Sequence, residues 1–76
     1  MDTSLSKEDK VFILESKIKA FNEYLYNYTI DLSLEEFDPE AADKAEHYDG
    51  LRTNLSTAQL KLAALEAKLE EVNALP

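Results

Sequence analysis

Apolar residues that recur at alternating steps of three and four constrain the fold of this chain more than any other feature. Residues at this spacing line one side of an α-helix, and two such helices pack together as in a coiled coil. The first series consists of Val11, Leu14, Ile18, Phe21, Leu25, Tyr28 and Leu32. The second, with one polar member, consists of Phe37, Ala41, Lys44, Tyr48, Leu51, Leu55, Ala58, Leu62, Leu65, Leu69 and Val72.

The composition favours an all-α fold in a single domain over residues 1–76. The chain has 76 residues, with one glycine, two prolines and no cysteine. Sheet proteins need more turn residues and more β-branched residues than this. A chain of this length buries little apolar surface by itself and has no disulfide to compensate. Its size alone therefore predicts self-association or docking onto another protein.

Two helix-start signals predict an antiparallel hairpin whose connection is short and acidic. Ser6 suits the N-cap of the first helix, because two acidic residues follow in the first turn. Asp38 and Pro39 form a second start, with aspartate as N-cap and proline at the first helical position. We predict helix 1 over about 7–31, the connection over 32–38, and a longer helix 2 over about 39–75.

Gly50 is the position that argues for a different fold. A glycine inside a helix costs about 1 kcal/mol relative to alanine, and Ser56 and Gln59 have the spacing of a capping box. A break here would produce a three-helix bundle. The apolar spacing keeps its phase from Tyr48 through Leu51, which favours a continuous second helix.

The predicted helices leave apolar side chains without an intramolecular partner. A helix 1 that ends near residue 31 covers helix 2 only to about residue 64, so the apolar residues of 65–75 should face water. Further large apolar residues lie outside both series. An exposed apolar surface of this extent usually marks an interface. We predict partner contacts through Phe12, Ile13, Tyr24, Tyr26, Ile30, Leu60, Leu65, Leu69, Val72 and Leu75.

Negative charge is concentrated between residues 31 and 49. This segment holds eight acids and one base, for a net charge of −7, whereas the whole chain carries −8. Acids at a helix N-terminus favour the helix dipole and keep a small apolar protein in solution. The alternative is an acidic docking surface for a basic protein, formed by Asp31, Glu35, Glu36, Asp38, Glu40 and Asp43.

The sequence contains no motif that indicates catalysis or cofactor binding. There is one histidine, no cysteine, and neither a glycine-rich phosphate loop nor a nucleophile elbow. Asp43 and His47 are four residues apart, so both could ligate a metal ion from one helix face, but a structural metal site needs about four ligands. A solvated helix face is the simpler interpretation. We predict no enzymatic activity, no cofactor, no metal and no small-molecule ligand.

The expected function is structural. A non-enzymatic helical hairpin would oligomerise or dock onto a larger assembly, and small acidic chains of this kind are typical of minor bacteriophage or viral components. The alternative is an inhibitor or regulator that binds a basic protein surface through residues 31–49. The acidic balance disfavours nucleic acid and anionic membranes as partners. Without a secretory signal at its start, the chain is expected in the cytoplasm, or in a virion.

Overall fold

Two antiparallel α-helices form a hairpin in the computed structural model, which describes residues 5–76. The elements in chain order are helix α1 (Lys7–Ser33), two 3-10 turns (Glu35–Phe37 and Ala41–Lys44), and helix α2 (Ala45–Asn73). The molecule is a rod of 55 × 18 × 18 Å. The predicted two-helix hairpin with a longer second helix is confirmed, since α1 has 27 residues and α2 has 29.

The two apolar series form the contact between the helices, as predicted. Every member of the first series is half-buried, and so are most members of the second from Ala41 onward. Only three side chains in residues 5–76 are buried, and all three lie on α2: Tyr48, Leu51 and Ala58, with exposed fractions of 6%, 9% and 6%. Two helices alone cannot surround a side chain on all sides, so the core stays thin.

Serine hydroxyls form local hydrogen bonds at both ends of helix α1. The Ser6 hydroxyl accepts a 3.0 Å bond from the backbone N–H of Asp9, so Ser6 is the N-cap that the sequence predicts. At the other end the Ser33 hydroxyl donates to the carbonyl of Ile30 at 2.6 Å. The helix runs two residues past the predicted end.

The expectation that α2 starts at Pro39 is wrong. The Asp38 carboxylate accepts a 2.9 Å bond from the N–H of Glu40, and its carbonyl accepts one from Ala41 at 3.1 Å. These bonds close a tight turn, and the 3-10 turn that follows delays the α-helix to Ala45. The changed geometry also removes Phe37 from the apolar contact, where it was expected, and leaves it 75% exposed.

Gly50 does not interrupt α2. The helix is continuous from Ala45 to Asn73, so the single second helix is confirmed and the three-helix alternative is not. Gly50 has no positive φ, and a Cβ placed on it would meet nothing within 4 Å.

The helices end together, which overturns the predicted overhang of residues 65–75. The Lys7 ammonium, at the start of α1, donates to the carbonyls of Asn73 and Leu75 at 3.0 and 2.8 Å. The reason is the connection: it extends to residue 44, so α2 starts later and its end lies level with the start of α1. Leu65, Leu69 and Val72 are accordingly half-buried against α1 and do not lie free in water.

Candidate functional site

Asp38 is the centre of a polar cluster at the loop end of the hairpin. One of its carboxylate oxygens accepts a 2.6 Å bond from the Tyr48 hydroxyl and a 3.2 Å bond from the Lys44 ammonium. The other accepts the N–H of Glu40. Together these bonds tie the connection to the first turns of α2.

The hydrogen bonds of the cluster lower the pKa of Asp38 and raise the pKa of Tyr48. The Tyr48 hydroxyl, then the N–H of Glu40 and the Lys44 ammonium, lower the pKa of Asp38 to about 2 against the effect of desolvation. The same bond, with desolvation and the nearby carboxylates, raises the pKa of Tyr48 to about 12. Across the intervening pH range the pair is therefore one carboxylate and one neutral phenol.

Arg52 links α2 to the connection beside this cluster. Its guanidinium forms an ion pair with Glu35 and donates to the Asp49 carboxylate at 2.7 Å. The bond and charge of Glu35 contribute most to raising the pKa of Arg52 above its ordinary value.

The acidic residues that the sequence groups together differ in their surroundings. Glu35 and Asp38 are half-buried and engaged with basic or hydroxyl groups of the same chain. The other four members of the predicted acidic surface are exposed: Asp31, Glu36, Glu40 and Asp43. The segment thus contains an internal structural cluster as well as exposed acidic side chains, of which Glu40 lies 4.0 Å from the Lys44 ammonium.

Large apolar side chains are exposed on the outside of both helices. Six of the ten predicted partner residues belong to this set, and Leu75 is also exposed at the chain end. The six are Phe12, Ile13, Tyr24, Tyr26, Ile30 and Leu60. The sequence interpretation missed Leu5, Leu34 and Phe37, which are exposed as well. They could have been found from their place in the sequence, because all three lie beyond the ends of the two α-helices.

One side of the groove between the helices carries lysines from the open end to its middle. Three adjoining shallow depressions line it: the middle one shares Lys68 with the depression at the open end, and Phe21 and Lys61 with the depression nearer the loop. Lys10 lines the depression at the open end, and Lys17 has the same position in the seven-residue repeat as Lys10 and Tyr24. We call this side the lysine face: Lys10, Ile13, Lys17, Phe21, Tyr24, Lys61, Ala64, Leu65 and Lys68.

The opposite side of the groove is more acidic. Its depression near the open end is lined by one lysine, Lys7, and two acids, Glu8 and Glu15. The next depression lies on α1 alone and has Lys19 between Glu15 and Glu23. The two sides of the hairpin therefore differ in the sign of the charge that borders the apolar groove.

Nowhere in residues 5–76 do three histidine, aspartate or glutamate side chains come close enough together to ligate a metal ion. Neither α1 nor α2 is apolar enough over its length to cross a bilayer. Comparison of the chain with protein-family models, with curated proteins and with solved structures finds no match.

Proposed function

We propose that this protein is a non-enzymatic helical hairpin that assembles, with itself or with a larger protein complex, through apolar side chains on its helix faces. The observation that carries the proposal is an imbalance within residues 5–76. Three side chains are buried, whereas ten large apolar side chains are exposed, among them Phe12 at 70% and Leu60 at 74%.

The size of the imbalance supports an interface. Burying one large apolar side chain contributes about 1.5–3 kcal/mol, whereas association itself costs at least about 4 kcal/mol, so several of the exposed residues must be buried together to favour association. Single exposed apolar residues are ordinary on protein surfaces. Here five lie on α1, one lies on α2 and four lie beyond the helix ends, on a rod that has almost no interior of its own. A minor component of a virus or bacteriophage particle is one setting for such a chain.

Site-specific photocrosslinking tests the proposal. A photoreactive phenylalanine analogue replaces Phe12 or Leu60 in the full chain, expressed in cells, and adducts are identified by mass spectrometry. Ser16 and Thr53, which are exposed polar positions on the same two helices, are the matched controls. We expect adducts of discrete mass at Phe12 or Leu60, to the chain itself or to another protein, and none at the controls. Equal labelling at all four positions, or none, would overturn the proposal.

The second candidate is a regulator that binds a basic protein surface through the loop end. It is favoured by exposed acids there, among them Asp31, Glu36, Glu40 and Asp43. Such binding weakens steeply with salt, because exposed charges are screened beyond about 10 Å at 0.1 M. We expect E36Q/E40Q/D43N to abolish it while the fold stays intact, because the bonds of Asp38 are kept and only the exposed 4.0 Å pair between Glu40 and Lys44 is lost. Binding that is indifferent to salt and to this triple variant would exclude the regulator.

A further inference from the structure

The lysine face is a groove bordered by like charges. Lys10 and Lys68 lie on opposite helices and line the same depression, in which Glu71 is the one acidic side chain. Lys61 borders the two depressions further along, which contain no acid. None of these three lysines forms an ion pair within residues 5–76. Lysines on both sides of a groove do not stabilise the contact between two antiparallel helices. These charges are therefore available to pair with a group outside the hairpin.

We propose that the lysine face packs against the lysine face of a second copy of this chain, in a two-fold dimer whose loop ends point in opposite directions. This inference rests on the proposed function and names the partner. It commits to a second copy because the chain itself supplies the complementary charge: nearly all of its net charge of −8 comes from residues 31–49, at the loop end.

The repeat on α1 places complementary residues opposite each other in this arrangement. Lys10, Lys17, Tyr24 and Asp31 succeed one another at intervals of seven, on the same side of the helix. A two-fold axis between Lys17 and Tyr24 sets Lys10 against Asp31 of the partner subunit, and Lys17 against the ring of Tyr24 of the partner subunit. Each pairing occurs twice by symmetry. The first is an ion pair and the second a cation–π contact.

The opposite orientation is disfavoured by the same charges. A dimer with both loop ends together would bring two segments of net charge −7 side by side and would set lysine against lysine at the open ends. Charge complementarity of this kind decides orientation and specificity more than affinity. The affinity comes from the apolar side chains between the lysines, including Ile13, Phe21 and Tyr24.

The dimensions of the face suit a stable dimer. A typical interface buries about 800 Å² on each partner, and a face about 18 Å wide on a rod of 55 Å is large enough to provide it. Ala64 lies near the middle and lets the second hairpin approach closely. Lys61 lies nearest the axis and meets its own copy, but its long stem can carry the ammonium to the edge of the interface.

Charge reversal on the purified full-length protein tests the pairing. Sedimentation equilibrium at low salt is expected to report twice the chain mass of 8.6 kDa. K10E and D31K each weaken the dimer about three- to thirtyfold, whereas K10E/D31K restores it, because both pairings reform with the charges exchanged. K19E carries the same charge change outside the lysine face and leaves the dimer unchanged. A monomer at all concentrations up to about 1 mM, or a double variant as weak as its worse parent, overturns the inference.

A spin-label distance tests the orientation. The chain has no cysteine, so E46C introduces a single label at an exposed position near the loop end. Opposed hairpins should separate the two labels by about 45 Å, from the helical rise of 1.5 Å per residue. A separation below about 25 Å overturns the inference and leaves the proposed function intact. A monomer that still forms adducts to another protein at Phe12 or Leu60 likewise overturns the dimer and leaves the proposed function intact. A monomer that forms no adducts overturns the dimer and the proposed function together.

Discussion

The Tyr48 hydroxyl donates a 2.6 Å hydrogen bond to the Asp38 carboxylate and thereby joins the connection to the first turn of α2. Tyr48 is one of three buried side chains in the described part of the chain, and Asp38 is the residue on which the turn closes. The bond thus links the thin core to the geometry of the loop. It also makes the stability of the hairpin depend on pH at both ends of the scale.

Acid should weaken the hairpin through Asp38. The folded state holds the pKa of Asp38 at about 2, below the ordinary 3.8. Its contribution is therefore complete above about pH 4 and is lost as the pH falls through about 2. We expect the difference in unfolding free energy between the protein and Y48F to be largest above pH 4 and to shrink toward pH 2. Urea titrations at each pH measure it, and a difference that stays constant over this range would contradict the prediction.

Alkali should act on the other partner of the same bond. The pKa of Tyr48 is raised from 10.0 to about 12, so the contribution of the neutral phenol is complete below pH 10 and is lost as the pH rises through about 12. The phenolate absorbs near 295 nm, and the titration of the protein minus that of Y48F isolates Tyr48. We expect a midpoint near 12. In D38N the midpoint should fall, because the largest cause of the shift is removed.

Gly50→Ala should stabilise the hairpin. Gly50 is inside α2, and an added Cβ meets nothing within 4 Å, so the substitution gains helix propensity without a clash. We expect a gain of about 0.5–1 kcal/mol in unfolding free energy, measured by chemical denaturation. A67G, at an exposed position further along the same helix, should lose a similar amount. A destabilised G50A would mean that the helix bends at this glycine.

Leu51 and Leu60 should respond very differently to truncation, although both are leucines of α2. Leu51 is 9% exposed and packs against α1, whereas Leu60 is 74% exposed on the outer face. L51A is expected to cost about 2–3 kcal/mol and L60A less than about 0.5 kcal/mol. Thermal and urea unfolding at low protein concentration compare the two. Equal losses would show that the helices pack in another rotation.

Lys7→Met should loosen the open end of the hairpin. The Lys7 ammonium binds the carbonyls of Asn73 and Leu75, at the C-terminal end of α2, where a positive charge favours the helix dipole. We expect a loss of about 0.3–1 kcal/mol and faster hydrogen exchange of the amides in the last turn. K19M, which removes a lysine that contacts no helix end, is the control. Unchanged exchange in K7M would show that other contacts hold the open end together.

Periodicity explains why so much of the fold is predictable. The first apolar series identifies the half-buried side of α1 except for Lys10 and Ala20. The second identifies the buried side of α2 from Tyr48 onward, because residues at this spacing share one face of a helix. The role of Ser6 as N-cap is equally predictable, because an N-cap is a local interaction between a side chain and the next turn of the helix. The exposed residues follow from the same pattern, as Phe12 and Leu60 show.

The loop end is less predictable, because its geometry depends on a contact between residues ten apart. Asp38 and Pro39 carry the local signature of a helix start, yet Asp38 also binds Tyr48 and Lys44 and closes a tighter turn. Spacing alone does not reveal that competition. The wrong start of α2 also makes the predicted overhang of residues 65–75 wrong, because a later start places Leu65 and Val72 against α1.

The sequence by itself determined the class of the fold, the buried face of each helix and the continuity of α2 through Gly50, because these depend on residues within a few turns of one another. The tertiary structure alone decided the register between the helices. Register depends on how many residues the connection uses, and the bonds of Asp38 to α2 set that number. The lysine face is a consequence of this register, because Lys10 and Lys68 lie in one depression only when the two helices end together.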